Sequence, residues 1–197
     1  NLAWKYCFQI AVLRRKKPAS GQYLRPVFLW ADEAQNFVSA FDPEYQAVAR
    51  SAGGCTVYLT QNREGFRRVL GNDDAVDSLL GNLQAKFFCQ NGSVDTNDWA
   101  SKLLGQRWVE VSMRSGGATG AGIGGTTGTV TATAGFSTQY QQRLYVQPTE
   151  FATLRRGGHQ NQYLVDCYVY NGGQRYPSDT DEDDVPYTFL TFNQKDE

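Results

Sequence analysis

The chain is poor in the residues that build metal centres and disulfide frameworks. It has one histidine, His159, and four cysteines that stand far apart without a C-x-x-C pair. Zinc sites need clustered cysteine and histidine ligands, and disulfide-stapled domains need a denser cysteine pattern. The sequence therefore argues against both. We expect His159, beside two glycines, to be a solvated loop residue, and we expect buried, reduced thiols at Cys7, Cys55, Cys89 and Cys167.

The chain also lacks a dominant charge and a long apolar run. It has 19 basic and 20 acidic residues, and its pI is about 5.9. Its overall electrostatic field would not attract nucleic acid, so any contact with nucleic acid must come from a local group of basic residues. No apolar run has the length of a membrane span, and no signal peptide is visible. With 41% apolar residues the chain can bury the core of one globular domain, and the expected reduced thiols favour a cytoplasmic protein. The basic residues available for local DNA contacts, most of them expected to be ordinary surface charges, are Lys5, Arg14, Arg15, Lys16, Lys17, Arg63, Arg67, Arg68, Arg155 and Arg156.

One stretch, residues 26–35, organises the rest of the chain. It reads Pro-Val-Phe-Leu-Trp-Ala-Asp-Glu-Ala-Gln, an apolar run that ends abruptly in two carboxylates. This pattern is typical of a buried parallel strand whose C-terminal tip delivers Asp32 and Glu33 into a crevice. It matches the Walker B motif of P-loop ATPases, where the first carboxylate holds magnesium and the second polarises the attacking water. An ordinary core strand that happens to end in Asp-Glu explains the stretch equally well.

Short apolar strands alternate with helical segments through residue 105. Helices are predicted over residues 2–13, 44–52, 73–80 and 95–104, and strands over residues 55–60 and 85–89. This alternation predicts right-handed βαβ units and an α/β fold with a mostly parallel sheet flanked by helices.

The strand over residues 55–60 ends in Gln61, which should therefore lie at the same sheet edge as Asp32. There Gln61 could orient the γ-phosphate and the attacking water, while Arg50, on the intervening helix, could reach a neighbouring subunit's nucleotide as an arginine finger. Two plainer interpretations stay open. Gln61 can simply cap a strand, and Arg50 can be a solvated helix residue.

The composition changes sharply after residue 113. Residues 114–136 are rich in Gly and Thr with almost no charge, which predicts an insertion loop or an exposed hairpin arm. The Gly-x-Gly-x-x-Gly-like stretch at residues 120–125 is not followed by a helix, so we do not expect it to bind a dinucleotide. Alternation over residues 161–170 and the Gly172-Gly173 turn predict a C-terminal antiparallel hairpin, and residues 177–197 are expected to be an acidic tail.

Several segments resemble one protein family, and they do so in that family's order. These segments are residues 29–35, 49–55, 58–62, 80–88, 96–105 and 143–151. They resemble the C-terminal half of the conjugative coupling-protein ATPases of the TraG and TraD type. The resemblance covers most of the chain, which makes it far more specific than any single motif.

The resemblance implies a RecA-like motor that couples ATP hydrolysis to DNA or nucleoprotein transfer through a type IV secretion channel. Residues 1–197 would be a partial nucleotide-binding domain with ATP and Mg²⁺ as cofactors. Asp32 would bind Mg²⁺ through water, Glu33 would activate the attacking water, Gln61 would sense or orient the γ-phosphate, and Arg50 would be the arginine finger. The implied partners are single-stranded DNA, relaxosome and secretion components, and further copies of the protein in a hexamer. The implied location is the cytoplasmic face of the bacterial inner membrane, through an anchor outside this chain.

Two features depart from the family pattern. No Gly-Lys dipeptide occurs, so the phosphate-binding loop is absent, and this polypeptide alone should bind ATP weakly and hydrolyse it negligibly. Since the chain starts with Asn1, we expect a piece of a longer protein. The Asp-Glu-Ala-Gln sequence differs from the family's common Asp-Glu-Phe, which keeps a TraC-type secretion ATPase and a HerA-like translocase as alternatives. A non-catalytic docking module for relaxosome or secretion components is a third.

Overall fold

The structure is a computed structural model that describes residues 2–16, 24–117, 133–178 and 183–195. Six helices and seven strands follow one another in the described part of the chain. In order they are α1 (Leu2–Leu13), β1 (Val27–Ala31), α2 (Phe41–Ala49), β2 (Gly54–Tyr58), α3 (Arg63–Leu70), α4 (Asp73–Asn82), β3 (Ala85–Phe88), α5 (Val94–Leu104), β4 (Gln106–Gly117), β5 (Thr133–Leu144), α6 (Pro148–Thr153), β6 (Leu164–Asn171) and β7 (Tyr187–Asn193). The helices described here are all too short or too polar to traverse a bilayer.

Strands β1 and β2 form the predicted parallel pair, with α2 as the crossover between them. Val27 pairs with Gly54 at one end, and Ala31 pairs with Tyr58 at the other. The backbone contact continues beyond the strands, because Leu59 donates to the carbonyl of Ala31 over 2.9 Å. The carboxyl ends of both strands therefore meet at one edge of the sheet, as the sequence predicts for residues 32 and 61.

Helices α1 and α2 are joined by a buried network around Asp42. The Asp42 carboxylate, fully buried, accepts hydrogen bonds from Lys5, from Gln9 over 2.8 Å and from Tyr58 over 2.6 Å. Burial by itself raises the pKa of Asp42, but the hydrogen bonds from Lys5, Tyr58 and Gln9 hold it below its ordinary value. Burial and the Asp42 charge raise the pKa of Tyr58, so its phenol remains a donor. Lys5 is therefore an internal ion-pair residue and is not available to DNA.

Helix α3 is the element that the sequence pattern does not predict. It has only eight residues and contains Gly65, and of its apolar residues Phe66, Val69 and Leu70 only Phe66 is fully buried, so its apolar pattern is too short to predict a helix. Its cap is a local signal, because the Asn62 side chain accepts a hydrogen bond of 2.9 Å from the Gly65 amide. The same capping occurs at α4, where Asn72 accepts from Ala75 over 2.7 Å.

Strand β3 corrects the expectation of a mostly parallel sheet. It pairs antiparallel with β6, and β6 pairs antiparallel with β7, so that β1 and β2 form the one parallel pair among the described residues. Aromatic packing favours this partner. Phe88 of β3 packs edge-on against Phe151 of α6, and Phe151 packs edge-on against Tyr168 of β6, with ring centroids 6.0 and 5.5 Å apart.

The C-terminal region is more ordered than an acidic tail. Tyr187–Asn193, inside the range expected to be tail, forms β7, and the rings of Tyr187 and Phe189 lie 5.6 and 5.0 Å from that of Tyr168. These contacts explain why a strand forms where a tail was expected. The free energy gained by burying aromatic surface exceeds that gained by leaving the acidic stretch solvated. The antiparallel pairing of β6 with β7 confirms the predicted hairpin, although its connection extends well beyond Gly172 and Gly173. Residues 179–182 lie outside the described residues.

Strands β4 and β5 form a long antiparallel hairpin that flanks the predicted insertion region. Each strand has 12 residues, and their ends extend into residues 114–136, the range for which a loop or an exposed hairpin arm was expected. Residues 118–132, which include the Gly-rich stretch at 120–125, lie outside the described residues. Trp108 pairs with Gln142 and Glu110 pairs with Tyr140, which places Trp108 and Tyr140 on one face, 66% and 64% exposed.

The four cysteines are all free, and only one of them is buried. Cys167 is buried in β6, whereas Cys7 and Cys89 are exposed and Cys55 is intermediate. The prediction of uniformly buried thiols is therefore wrong for Cys7 and Cys89. Cys7 lies on the outer side of α1, and Cys89 follows the last residue of β3. An apolar neighbourhood in sequence thus does not by itself bury a residue.

Candidate functional site

The turn after β1 carries the two carboxylates of the predicted Walker B motif. Glu33 adopts the left-handed conformation, with φ 50° and ψ 48°, and its amide donates a 2.9 Å hydrogen bond to Oδ1 of Asp32. A short 3-10 turn, Ala34–Asn36, follows. Positive φ is uncommon for a residue with a long side chain, and such residues concentrate at functional sites. The backbone therefore turns sharply where the two side chains leave the sheet edge.

Two side-chain amides hold the carboxylate of Glu33. Nε2 of Gln61 donates to Oε1 of Glu33 over 3.0 Å, and Nε2 of Gln35 donates to Oε2. The hydroxyl of Thr60 donates in turn to the oxygen of Gln35 over 2.8 Å. The structure thus brings Glu33 and Gln61 together, as their positions after neighbouring parallel strands predict. The contribution of Gln35 was not predicted, because it lies in a turn with no periodic pattern.

Gln61 is held in place from a second side. Its backbone carbonyl accepts a 2.6 Å hydrogen bond from the Asn91 side chain, which lies between β3 and α5. Glu64, in the first turn of α3, accepts hydrogen bonds from Ser93 and from Thr96, the latter over 2.8 Å. Burial raises the pKa of Glu64, but these two hydroxyl donors lower it below its ordinary value. The loop that carries Gln61 is therefore tied to the N-terminus of α5.

Asp32 lies beside Glu33 and is open to solvent. It lines a cavity of about 340 Å³ together with Trp4, Trp30 and other side chains of α1 and β1. No group of three or more His, Cys, Asp or Glu side chains suited to a metal occurs within the described ranges. Two adjacent carboxylates still fit Mg²⁺, because this ion keeps several waters and takes one or two carboxylates together with substrate phosphate oxygens. Asp32, whose carboxylate is exposed, is the residue that would hold it, with Glu33 beside it.

Arg50 lies at the other end of the parallel strand pair. It begins a 3-10 turn, Arg50–Ala52, that leads directly into β2 at Gly54, whereas Glu33 and Gln61 follow the opposite ends of β1 and β2. Its side chain is exposed. The chain therefore assembles Asp32, Glu33 and Gln61 into one site and keeps Arg50 apart from them. A role for Arg50 at another subunit's nucleotide stays a prediction.

Several of the basic residues named as possible DNA contacts have acidic partners within the chain. Arg63 contacts Asp77 over 2.6 Å, and Arg67 contacts Asp73 over 2.7 Å. Other members of the set are also engaged, since Lys5 pairs with Asp42 and Arg155 pairs with Asp166. Arg14, Lys16, Arg68 and Arg156 remain exposed.

A family model matches this chain over residues 26–156, which is more than half of its length. The description of the family is "TraM recognition site of TraD and TraG". The matched range contains the turn with Asp32 and Glu33, the loop with Gln61, and the long hairpin. No curated protein matches the chain significantly.

Solved structures resemble almost the whole chain. The unbound bacterial conjugative coupling protein TrwB, lacking its first 70 residues, matches 98% of this chain with a TM-score of 0.66 and 18% identity. The plasmid coupling protein TrwB in complex with the non-hydrolysable GTP analogue GDPNP matches 98% with a TM-score of 0.63 and 16% identity. This chain covers 37% and 36% of those two proteins. At this level of identity the likeness shows the fold, and it confirms the predicted RecA-like α/β class.

Proposed function

This chain belongs to the TraD and TraG family, and from that premise we propose that it forms the Walker B part of an ATP-driven motor for conjugative DNA transfer. The observation that carries the proposal is the contact of Gln61 with Glu33 beside Asp32, at the carboxyl ends of two parallel strands. Ligands of open α/β sheets bind at that edge. The GTP analogue in the TrwB complex is consistent with a nucleotide as the ligand.

Each residue at this edge has a distinct chemical task in the proposed reaction. When bound, Mg²⁺ would neutralise part of the charge on the γ-phosphate of ATP. The carboxylate of Asp32 would hold this Mg²⁺ through water. Glu33 polarises the attacking water and takes up its proton, and its orientation is fixed by the amides of Gln61 and Gln35. Gln61 links this carboxylate to the end of β2, so it can sense whether the γ-phosphate is present.

The phosphate-binding loop of such a motor lies outside these residues, since the sequence contains no Gly-Lys dipeptide. We therefore assign to this chain the hydrolytic half of the site and not the main affinity for ATP. In the complete motor, Arg50 reaches the nucleotide of an adjacent copy in a hexameric ring. Its position at the opposite end of the strand pair from Glu33 is consistent with action between subunits. The cargo is single-stranded DNA or nucleoprotein, handled at the cytoplasmic face of the inner membrane.

The proposal is tested by hydrolysis in the full-length gene product that contains this chain. Glu33→Gln keeps the shape of the side chain and removes the carboxylate, so DNA-stimulated ATP hydrolysis should fall by about a hundredfold or more. Glu44→Gln, a carboxylate in the first turn of α2, is the matched control and should keep the rate. An unchanged rate in Glu33→Gln would remove the catalytic role and would favour the docking alternative.

A second function, recognition of a relaxosome protein, is favoured by the description of the family as a TraM recognition site. It does not compete with the motor, because the contact surface for a partner need not include the sheet edge that carries Glu33. A pull-down with the TraM-type protein from the same transfer system tests it. Retention by the Glu33→Gln chain would show that docking is independent of the site, and no retention by the natural chain would argue against docking.

A further inference from the structure

A second cavity lies on the α3 side of Gln61. It has a volume of about 370 Å³, and its lining residues are Gln35, Gln61, Asn62, Glu64, Gly65 and Arg68. Gly65 permits this arrangement, because a Cβ at that position would lie 3.1 Å from Cβ and Cγ of Gln35. Helix α3 therefore approaches the turn after β1 closely. The cavity shares Gln35 and Gln61 with the amide pair that holds Glu33.

The arginine side chains of α3 are paired with carboxylates, with one exception. Helix α3 carries three arginines, and two of them are neutralised by carboxylates: Arg63 by Asp77 and Asp73, and Arg67 by Asp73 and Asp95. Arg68 is exposed and has no hydrogen bond or ion pair in the part of the chain that the structure describes.

The one carboxylate in the cavity wall does not neutralise Arg68. Both oxygens of Glu64 accept hydrogen bonds from hydroxyl groups at the start of α5, namely those of Ser93 and Thr96. The positive charge of Arg68 is thus left for a ligand of the cavity.

We propose that Arg68 and the amides of this cavity bind a phosphoryl oxyanion, and that this oxyanion is the terminal phosphate of a metal-bound polyphosphate. The guanidinium presents a planar fork of donors that matches phosphate oxygens. The neighbouring carboxylates of Asp32 and Glu33 define the class of anion. A simple anion would be repelled by them, whereas a polyphosphate that carries a divalent cation brings its own positive charge to that side.

The oxyanion site is inferred from the cavity and from the charge of Arg68. Its assignment to a nucleotide rests on the proposed function. In that assignment Arg68 is a phosphate-binding residue of the same subunit as Glu33. It differs from Arg50, which lies at the opposite end of the strand pair. Gln61 then connects the two parts of the site, since its side-chain amide donates to Glu33 and its side chain lines the cavity of Arg68.

The experiment is a titration of this chain with magnesium tripolyphosphate, followed by NMR of the arginine Nε–Hε groups. We expect a saturable shift of the Arg68 resonance, and Arg68→Gln should weaken binding by about tenfold, as the loss of a charge-assisted hydrogen-bond pair predicts. Arg68→Lys keeps the charge and should retain part of the affinity. Arg156→Gln, an exposed arginine on another part of the chain, is the matched control and should bind as the natural chain does.

The outcomes separate this inference from the proposed function. Equal binding by Arg68→Gln and the natural chain would overturn the assignment of Arg68, even if Glu33→Gln abolished the dependence on magnesium. A loss confined to Arg68→Gln, with no effect of magnesium or of Glu33→Gln, would support the oxyanion site and contradict its connection to the metal. Loss in both variants would support the whole arrangement.

Discussion

Nε2 of Gln61 lies 3.0 Å from Oε1 of Glu33 and joins the ends of the two parallel strands. Oε2 of the same carboxylate accepts from the amide of Gln35. Two neutral donors therefore fix the direction of Glu33 without neutralising its charge. A carboxylate that is held only by neutral donors suits a general base, which must keep one position while it accepts a proton.

Replacing Gln61 by glutamate tests how closely these two groups are coupled. In Gln61→Glu a second carboxylate would lie at the position of the amide donor, and like charges at this distance repel each other. The Glu33 side chain should therefore lose its fixed position, and DNA-stimulated ATP hydrolysis in the full-length protein should fall by about tenfold or more. Gln142→Glu, on the exposed hairpin, is the control and should keep the rate. An unchanged rate in Gln61→Glu would show that the amide of Gln61 does not position Glu33.

The left-handed backbone conformation of Glu33 predicts that two substitutions at this position differ in stability. Glu33→Ala and Glu33→Gly both remove the carboxylate and its two amide contacts, but glycine alone accepts φ 50° without strain. We expect Glu33→Gly to be more stable than Glu33→Ala by about 1 kcal/mol, reduced somewhat by the greater freedom of glycine in the unfolded chain. Urea unfolding of the two variants measures the difference. If Glu33→Ala were the more stable of the pair, the turn would not be strained.

Asp42 is expected to be the most sensitive polar residue of the core. Asp42→Ala leaves the buried ammonium of Lys5 without its partner and removes the acceptor of Gln9 and Tyr58. Such a change costs about 3–5 kcal/mol of unfolding free energy. Asp74→Ala, an exposed carboxylate in the first turn of α4, should cost less than about 1 kcal/mol. Chemical denaturation checks both, and similar losses would mean that the buried network contributes little.

Cys89 should be the most nucleophilic exposed thiol described. The pairing of Phe88 with Tyr168 sets Cys89 opposite Cys167, and a hydrogen bond from Cys167 lowers the pKa of Cys89 to about 7. The Cys89 thiolate therefore predominates above that pH, and alkylation of Cys89 should slow as the pH falls through 7. Cys167→Ala removes the donor and should move the midpoint upward. Peptide mapping after timed iodoacetamide treatment measures this, and an identical profile in Cys167→Ala would exclude the thiol contact as its cause.

The sequence predicts which side chains meet at this edge of the sheet, because strand ends are local signals that the parallel pairing then brings together. Glu33 and Gln61 each follow an apolar strand, and the parallel pairing of those strands suffices to make them neighbours. Gln35 and Arg68 have no such signal, since one lies in a turn and the other on a helix of only eight residues. Their positions depend on the approach of α3 to that turn, which is a tertiary contact.

The remaining differences have the same origin. The partner of β3 is decided by aromatic packing among Phe88, Phe151 and Tyr168, residues that are far apart in the sequence. The acidic stretch before Tyr187 predicts a solvated tail, whereas contacts with β6 stabilise the strand β7 at this position. From the sequence alone Lys5 is expected to be a solvated cation, but the packing of α2 against α1 places Asp42 beside it. Side-chain pairings of this kind are not contained in local periodicity.

Trp30 keeps 68% of its surface exposed while it lines the same cavity as Asp32 and Trp4. Indole fluorescence responds to the polarity of its surroundings, and an exposed indole emits at longer wavelength than a covered one. The chain thus contains a natural optical reporter beside the acidic turn, and a ligand or neighbouring polypeptide that covered this surface would produce a blue shift, with no added dye.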